Sequence, residues 1–114
     1  MTVPVIDPSS LRQAANGATQ LLKALSNPDR LLLMCHLAER EQCVGELEAA
    51  SGISQPTLSQ QLGVLREQGL VATRREGKNI YYSIDSPQAL AVMEVLYAQF
   101  CAPPENKKTR TTRK

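Results

Sequence analysis

Residues 44–84 constrain the fold more than any other stretch of this 114-residue chain. Val44, Leu47 and Ala50 recur at three-residue spacing, Ser51-Gly52 interrupts them, and Leu58, Leu62 and Leu65 resume the stripe after a short gap. Apolar residues three and four apart mark a helix with one buried face. Gly52 suits the left-handed backbone that ends one helix just before another. Ser54 is a suitable N-cap for the second helix, Pro56 falls in its first turn, and the stripe runs to about Gln68. After Gly69 the pattern becomes VATRREGKNIYYSI, β-branched and aromatic on both sides of Glu76-Gly77-Lys78-Asn79. That predicts a β-hairpin with strands near 71–75 and 80–84. Two helices across a tight turn, followed at once by a hairpin, define a winged helix-turn-helix.

The flanks complete it. Leu11, Ala14, Ala15, Ala18, Leu21, Leu22 and Leu25 predict a first helix with one buried face. Ser26-Asn27-Pro28 breaks it, and Pro28 opens a second helix to about Glu39 whose LLLMC run predicts the central, most buried position. Ser86-Pro87 starts a last helix with Leu90, Met93, Leu96, Tyr97 and Phe100 on one face, stopped by Pro103-Pro104. The expected architecture is mainly α with a β-hairpin wing: four helices, the hairpin, then a fifth helix. A flexible N-terminus over 1–8, one domain over 9–102 and a disordered basic tail over 103–114 are expected. With no Trp and one Phe, the core must be aliphatic and small, so a second copy of the chain would help stabilise it.

Several function classes recede. The apolar run Leu31–Cys35 is far short of the roughly 20 residues of a membrane span, and the opening MTVPVIDPSS lacks the features of a signal peptide, so a cytoplasmic location is expected. Three cysteines, an odd number, fit free thiols, ligands or redox groups better than a secreted disulfide framework. The net charge of +2 says little; its distribution says more. Arg66, Arg74, Arg75 and Lys78 lie close together, Glu39, Glu41, Glu46 and Glu48 form a separate acidic stretch, and Lys107, Lys108, Arg110, Arg113 and Lys114 crowd the end.

With Leu58, Leu62 and Leu65 turned inward, 3.6 residues per turn leaves Pro56, Gln60, Gly63 and Glu67 facing out, flanked by Thr57, Ser59 and Val64. Amides and hydroxyls suit base edges: Gln makes two hydrogen bonds to adenine, Ser and Thr serve several bases, and a recognition helix reads mainly through its N-terminal residues. Gln55, Thr57, Ser59, Gln60 and Gln61 are therefore candidate contacts to double-stranded operator DNA. In the hairpin, Arg74, Arg75 and Lys78 are placed to neutralise phosphates, with Asn79 as a hydrogen-bonding partner. A solvated helix face or a soluble basic hairpin explains any one of these residues; the whole constellation points to DNA.

The runs LLKALSNPDRLLLMCHL and VGELEAASGISQPTLSQQLGVLREQGLVATRREGKNIYYSI resemble the ArsR/SmtB family of dimeric repressors, from the first helix to the last. The likeness is most specific where the second helix opens, through GISQPTLSQQLGVLREQGLV, and in REGKNIYYSI. It implies a homodimer through the first and fifth helices that leaves its operator when an inducer binds. That family often carries two histidines where this chain has Gln60 and Gln61, a difference that concerns DNA sequence preference rather than fold.

The family's arsenic and cadmium sensors carry two cysteines one residue apart near the third helix; here the stretch is Cys43-Val44-Gly45, with only the first. Its zinc sensors use Asp, His and Glu on the last helix, where this chain offers Glu94, and its sole histidine is His36. A tetrahedral zinc site takes about four donors, so no metal or other cofactor is expected. Cys35, within LLLMC, and Cys101, after the last helix, resemble instead the thiol-based BigR-, SqrR- and HlyU-like branch, in which reactive sulfur species or oxidants bridge two cysteines. The resemblance implies Cys35 and Cys101 as a sensing pair, joined by a disulfide or a polysulfide, with Cys43 incidental. A half-apolar cysteine is also a small hydrophobe with a raised pKa. A metal- or arsenite-responsive repressor and a pair with no sensing role stay open as alternatives.

An enzyme is not expected. A small thiol redox enzyme would use the same cysteines, yet there is no Cys-x-x-Cys motif and no phosphate-binding glycine loop. His36 adjoins Cys35, but neighbours on a helix point about 100° apart. A winged helix used only for protein contacts is the other alternative.

Overall fold

The computed structural model describes residues 5–101; residues 1–4 and 102–114, and with them the basic tail, lie outside the described residues. The elements are α1 (Pro8–Leu25), α2 (Pro28–Glu39), β1 (Gln42–Cys43), α3 (Val44–Ser51), α4 (Thr57–Glu67), β2 (Val71–Glu76), β3 (Asn79–Ile84) and α5 (Pro87–Phe100). Three helices start by one local rule, a short polar N-cap followed by proline. Asp7 Oδ2 accepts from the Ser10 N–H at 3.1 Å, Asn27 Oδ1 from Arg30 at 3.0 Å, and Ser86 Oγ from Ala89 at 3.0 Å. Each cap satisfies a backbone donor that has no partner inside the helix, and the proline has no N–H to leave unpaired. At the other end of α3, Gly52 takes φ 76° and its N–H closes onto Glu48 O, the left-handed stop the tight turn requires.

The winged helix-turn-helix is present, with one element the sequence did not suggest. The sheet has three antiparallel strands in the order β1-β3-β2. The hairpin pairs Val71 with Ile84 through to Glu76 with Asn79, and β1 adds Gln42 opposite Tyr82 and Cys43 opposite Tyr81. Two residues carry no period, so β1 is invisible to pattern reading; it anchors the base of the wing to the segment after α2.

The expected Ser54 N-cap is also corrected. Pro56 occupies the cap position of α4 without a side-chain bond, and Gln55 Oε1 reaches forward to the Ser59 N–H at 3.2 Å. The side chain that serves the start of α4 is thus one residue later than expected, and Ser54 contributes its carbonyl, which accepts from the Leu58 N–H at 3.0 Å.

The core is aliphatic and centred on α2. Leu33 and Met34 of α2, Leu47 of α3 and Leu58, Leu62 and Leu65 of α4 are fully buried, and Leu37, Leu70, Val71, Ala89 and Met93 close around them. Two expected buried faces are not buried by the chain itself. On α1 only Ala24 and Leu25 are buried, whereas Leu11 and Leu22 are exposed; on α5 the buried pair is Ala89 and Met93, whereas Leu90, Tyr97 and Phe100 are exposed. Both helices carry more apolar surface than one chain can cover. Among the described residues no helix is long and apolar enough to cross a membrane.

Leu62→Ala, which empties a wholly enclosed position, is expected to destabilise the chain by about 3 kcal/mol, and Ser86→Ala by about 1 kcal/mol. Urea midpoints at a single protein concentration measure both.

Candidate nucleic-acid interface and thiol groove

The buried stripe of α4 turns its opposite side to solvent, and the candidate base contacts divide there into free and engaged groups. Ser59 and Gln60 are exposed and Thr57 is half-buried; among the described residues their side chains make no hydrogen bond. Gln55 is exposed, but its oxygen is used in starting the helix. Gln61 is half-buried, and its Oε1 accepts from Arg30 Nη1 at 2.9 Å, which engages one of the oxygen's two lone pairs and holds the side chain in place.

The wing divides in the same way. Arg74 donates through Nε and Nη2 to both oxygens of Glu41, at 2.8 and 2.9 Å, and through Nη1 to Glu76 at 2.9 Å. Its guanidinium lies 4.8 Å from the centre of the Tyr81 ring. The hydrogen bonds from Arg74 hold the Glu41 carboxyl below its ordinary range, and Glu41, then Glu76, push the guanidinium up. An exposed pair like this contributes little to stability. Its geometry matters more, since it reaches from β2 across β3 to the residue before β1 and engages three of the five N–H donors of the guanidinium. Arg75, Lys78 and Asn79 are exposed, Lys78 lies in the two-residue turn beside Gly77 (φ 63°), and among the described residues none of the three is in an ion pair. Sequence reasoning could not have found Arg74's partner: Glu41 is 33 residues away, at a strand too short to predict.

Below the wing, Gln42 is only 2% exposed; its Nε2 donates to His36 O at 2.9 Å, joining β1 to the end of α2.

Cys35 and Cys101 line one groove of about 410 Å³ between α2 and α5, with Leu32, Leu90, Met93 and Tyr97 as apolar walls and His36, Glu39 and Glu94 beside them. Cys101 is exposed just past α5, and its N–H donates to Tyr97 O at 2.8 Å, so the backbone carrying the thiol is still tied to the helix. Cys35 is half-buried; burial first, then the nearby Cys101 and Glu39, push its thiol up. Cys43 lies apart at the start of α3, where its N–H donates to Glu46 Oε1 at 3.0 Å. Among the described residues no three His, Cys, Asp or Glu side chains cluster as a metal site would require.

Residues 27–73, from the cap of α2 into β2, match the model of the family described as bacterial regulatory protein, arsR family. A biofilm growth-associated repressor of Agrobacterium fabrum is 55% identical over 97 residues, which cover 85% of this chain and 83% of that protein. The crystal structure of the transcriptional repressor BigR from Xylella fastidiosa superposes with a TM-score of 0.78 at 50% identity, over 86% of this chain and all of that one. Reduced HlyU from Vibrio cholerae N16961 does so with a TM-score of 0.78 at 38% identity, over 81% of this chain and 97% of its own.

The thiol groove generates a pH dependence. Only the thiolate alkylates, and a raised pKa leaves less thiolate at any given pH. With iodoacetamide at pH 7.5, the exposed Cys101 is expected to be labelled before the half-buried Cys35. The Cys35 rate should still climb above pH 9, where a free thiol of pKa about 8.5 has nearly levelled off. Peptide mass spectrometry across pH 7 to 10 reads both rates.

Proposed function

This chain belongs to the arsR family of bacterial regulatory proteins, and on that premise we propose that it is a dimeric repressor that leaves its operator when Cys35 and Cys101 are bridged by a reactive sulfur species or an oxidant. The observation that carries the proposal is the shared groove: one cysteine inside α2 and one just past α5, far apart in sequence, line one cavity, the first half-buried and the second exposed. The exposed Cys101 thiolate attacks a sulfur of a disulfide or polysulfide, and a thiolate leaves. Cys35 then attacks the Cys101 sulfur of that mixed species and expels the second thiolate. Two protein thiols are oxidised, and the sulfur–sulfur bond of the inducer accepts the two electrons.

The exposed apolar residues of α1 and α5, among them Leu11, Leu22, Val95, Tyr97 and Phe100, support a dimer through these two helices. Tying the end of α5 to α2 then shifts the two recognition helices relative to each other, which must sit about 34 Å apart to enter successive major grooves. A coupling of about 1 to 3 kcal/mol, usual for allostery, weakens operator binding roughly 5- to 150-fold. In this scheme Ser59 and Gln60 meet the base edges, flanked by Gln55, Thr57 and the amide of Gln61. Arg75 and Lys78 neutralise phosphates, Asn79 hydrogen-bonds them, and Arg74 braces the wing.

A fluorescence anisotropy titration on the duplex upstream of its own gene, at fixed salt, tests the switch. Reduced protein should bind tightly, an organic polysulfide should weaken it at least fivefold, and a reductant should restore it; Cys35→Ser and Cys101→Ser should each abolish the response. Release that persists in both variants sinks the cysteine mechanism, and tight binding indifferent to every thiol reagent directs the search to metals or arsenite.

The wing makes a separate prediction. Arg75→Ala and Lys78→Ala should each lower the slope of log affinity against log salt by about 1, whereas Arg74→Ala should change it less.

A further inference from the structure

Arg30 stands on the first turn of α2, where its N–H is held by the Asn27 cap, yet its guanidinium serves two other helices. Nε donates to Ala24 O at 2.6 Å and Nη2 to Lys23 O at 3.4 Å, both in the last turn of α1. Nη1 donates to Gln61 Oε1 of α4 at 2.9 Å. Among the described residues this is the one side-chain hydrogen bond joining α4 to another helix. Next to it, a cleft of about 470 Å³ lined by Gln20, Lys23, Ser26, Val64 and Gln68 separates α1 from the flank of α4.

We infer that Arg30 is a positioning residue for DNA recognition, its guanidinium tying the C-terminal carbonyls of α1 to Gln61 and so fixing the tilt of the recognition helix against the helix that carries the dimer contact. The inference rests on the dimeric DNA-binding function proposed above.

Two physical points support it. The stripe Leu58, Leu62 and Leu65 sets the depth of α4, but apolar packing is non-directional and leaves tilt less defined than a hydrogen bond does. The planar guanidinium also presents its donors in a rigid fork, which a lysine ammonium on a flexible stem cannot reproduce, and its charge complements the carbonyl end of α1.

The magnitude is sufficient to matter. An 11-residue helix is about 16 Å long, so a tilt of roughly 10° swings its far end by nearly 3 Å, close to the 3.4 Å rise of one base pair. In a two-fold dimer that error appears at both half-sites. The strut thus sets the half-site spacing the dimer accepts, and Gln61 contributes to recognition through Arg30 besides any contact of its own amide group.

The test selects sites from a random-sequence duplex pool with the full-length wild-type chain. Anisotropy titrations then compare wild type, Arg30→Met, Arg30→Lys and Gln61→Met on the selected site and on the same site with its half-sites moved by one base pair. Wild type should lose at least tenfold in affinity on moving the half-sites. In each variant that penalty should fall to threefold or less, the Arg30→Met, Gln61→Met double variant should fall no further than either single one, and Arg30→Lys, which keeps the charge, should bind a scrambled duplex as the wild type does. A penalty that remains tenfold in Arg30→Met and Gln61→Met alike, or single effects that simply add, overturns the inference. A wild-type chain that selects no site removes the DNA-binding premise and the inference with it. Should the Arg30 variants fail to fold, as circular dichroism would report, Gln61→Met still decides the matter, because it alters a half-exposed side chain with little change in length.

Discussion

Most elements of this chain are placed by contact with one buried helix. Leu33 and Met34 of α2 have no exposure at all, and α3, α4, α5 and β3 all pack against that helix. Helix α4 lies on one side of it and the cysteine groove on another, so the proposed DNA contacts and the proposed sensing cysteines share a support. Interiors packed at crystal-like density move as units rather than deform smoothly. A covalent tie between α2 and α5 therefore bears on the element that also positions α4.

Much of this was legible because the decisive signals are local. Asn27-Pro28 and Ser86-Pro87 marked the starts of α2 and α5, and Gly52 and Gly77 fell where the backbone turns left-handed; the Asp7 cap of α1 went unread, because the apolar stripe of that helix begins only at Leu11. The hairpin was legible from β-branched and aromatic residues on both sides of a turn-rich centre, and each strand runs one residue further toward the turn than expected. What escaped was non-local. The strand Gln42–Cys43 exists only because β3 is there to pair with it, and the partners Arg74–Glu41 and Arg30–Gln61 are separated by 33 and 31 residues with no pattern to connect them. The apolar faces of α1 and α5 were found correctly as apolar; periodicity cannot say whether a face is buried by its own chain or presented outward.

The candidate site was thus visible as a set of residue types but not as a division of labour. In the wing, Arg74 is held by two carboxylates and an aromatic face, whereas its neighbour Arg75 has no ion pair among the described residues. On α4, Gln61 is held, whereas the Gln60 side chain makes no hydrogen bond among the described residues. In both pairs one residue fixes the position of the surface and the next presents chemistry from it, which adjacent identical side chains conceal when read as letters. The same applies to the cysteines, because only the folded chain sets Cys35 and Cys101 along one groove and leaves Cys43 at the start of α3.

The outward face of α5 has a consequence for how the chain exists in a cell. Val95, at 60%, and Phe100, at 76% exposure, stand bare in a single copy. Apolar area of that kind favours self-association, and when a second copy covers it, folding free energy becomes linked to protein abundance by mass action. A cell that made very little of such a regulator would hold it in a less stable form than one that made much, so expression level and thermal tolerance would rise and fall together.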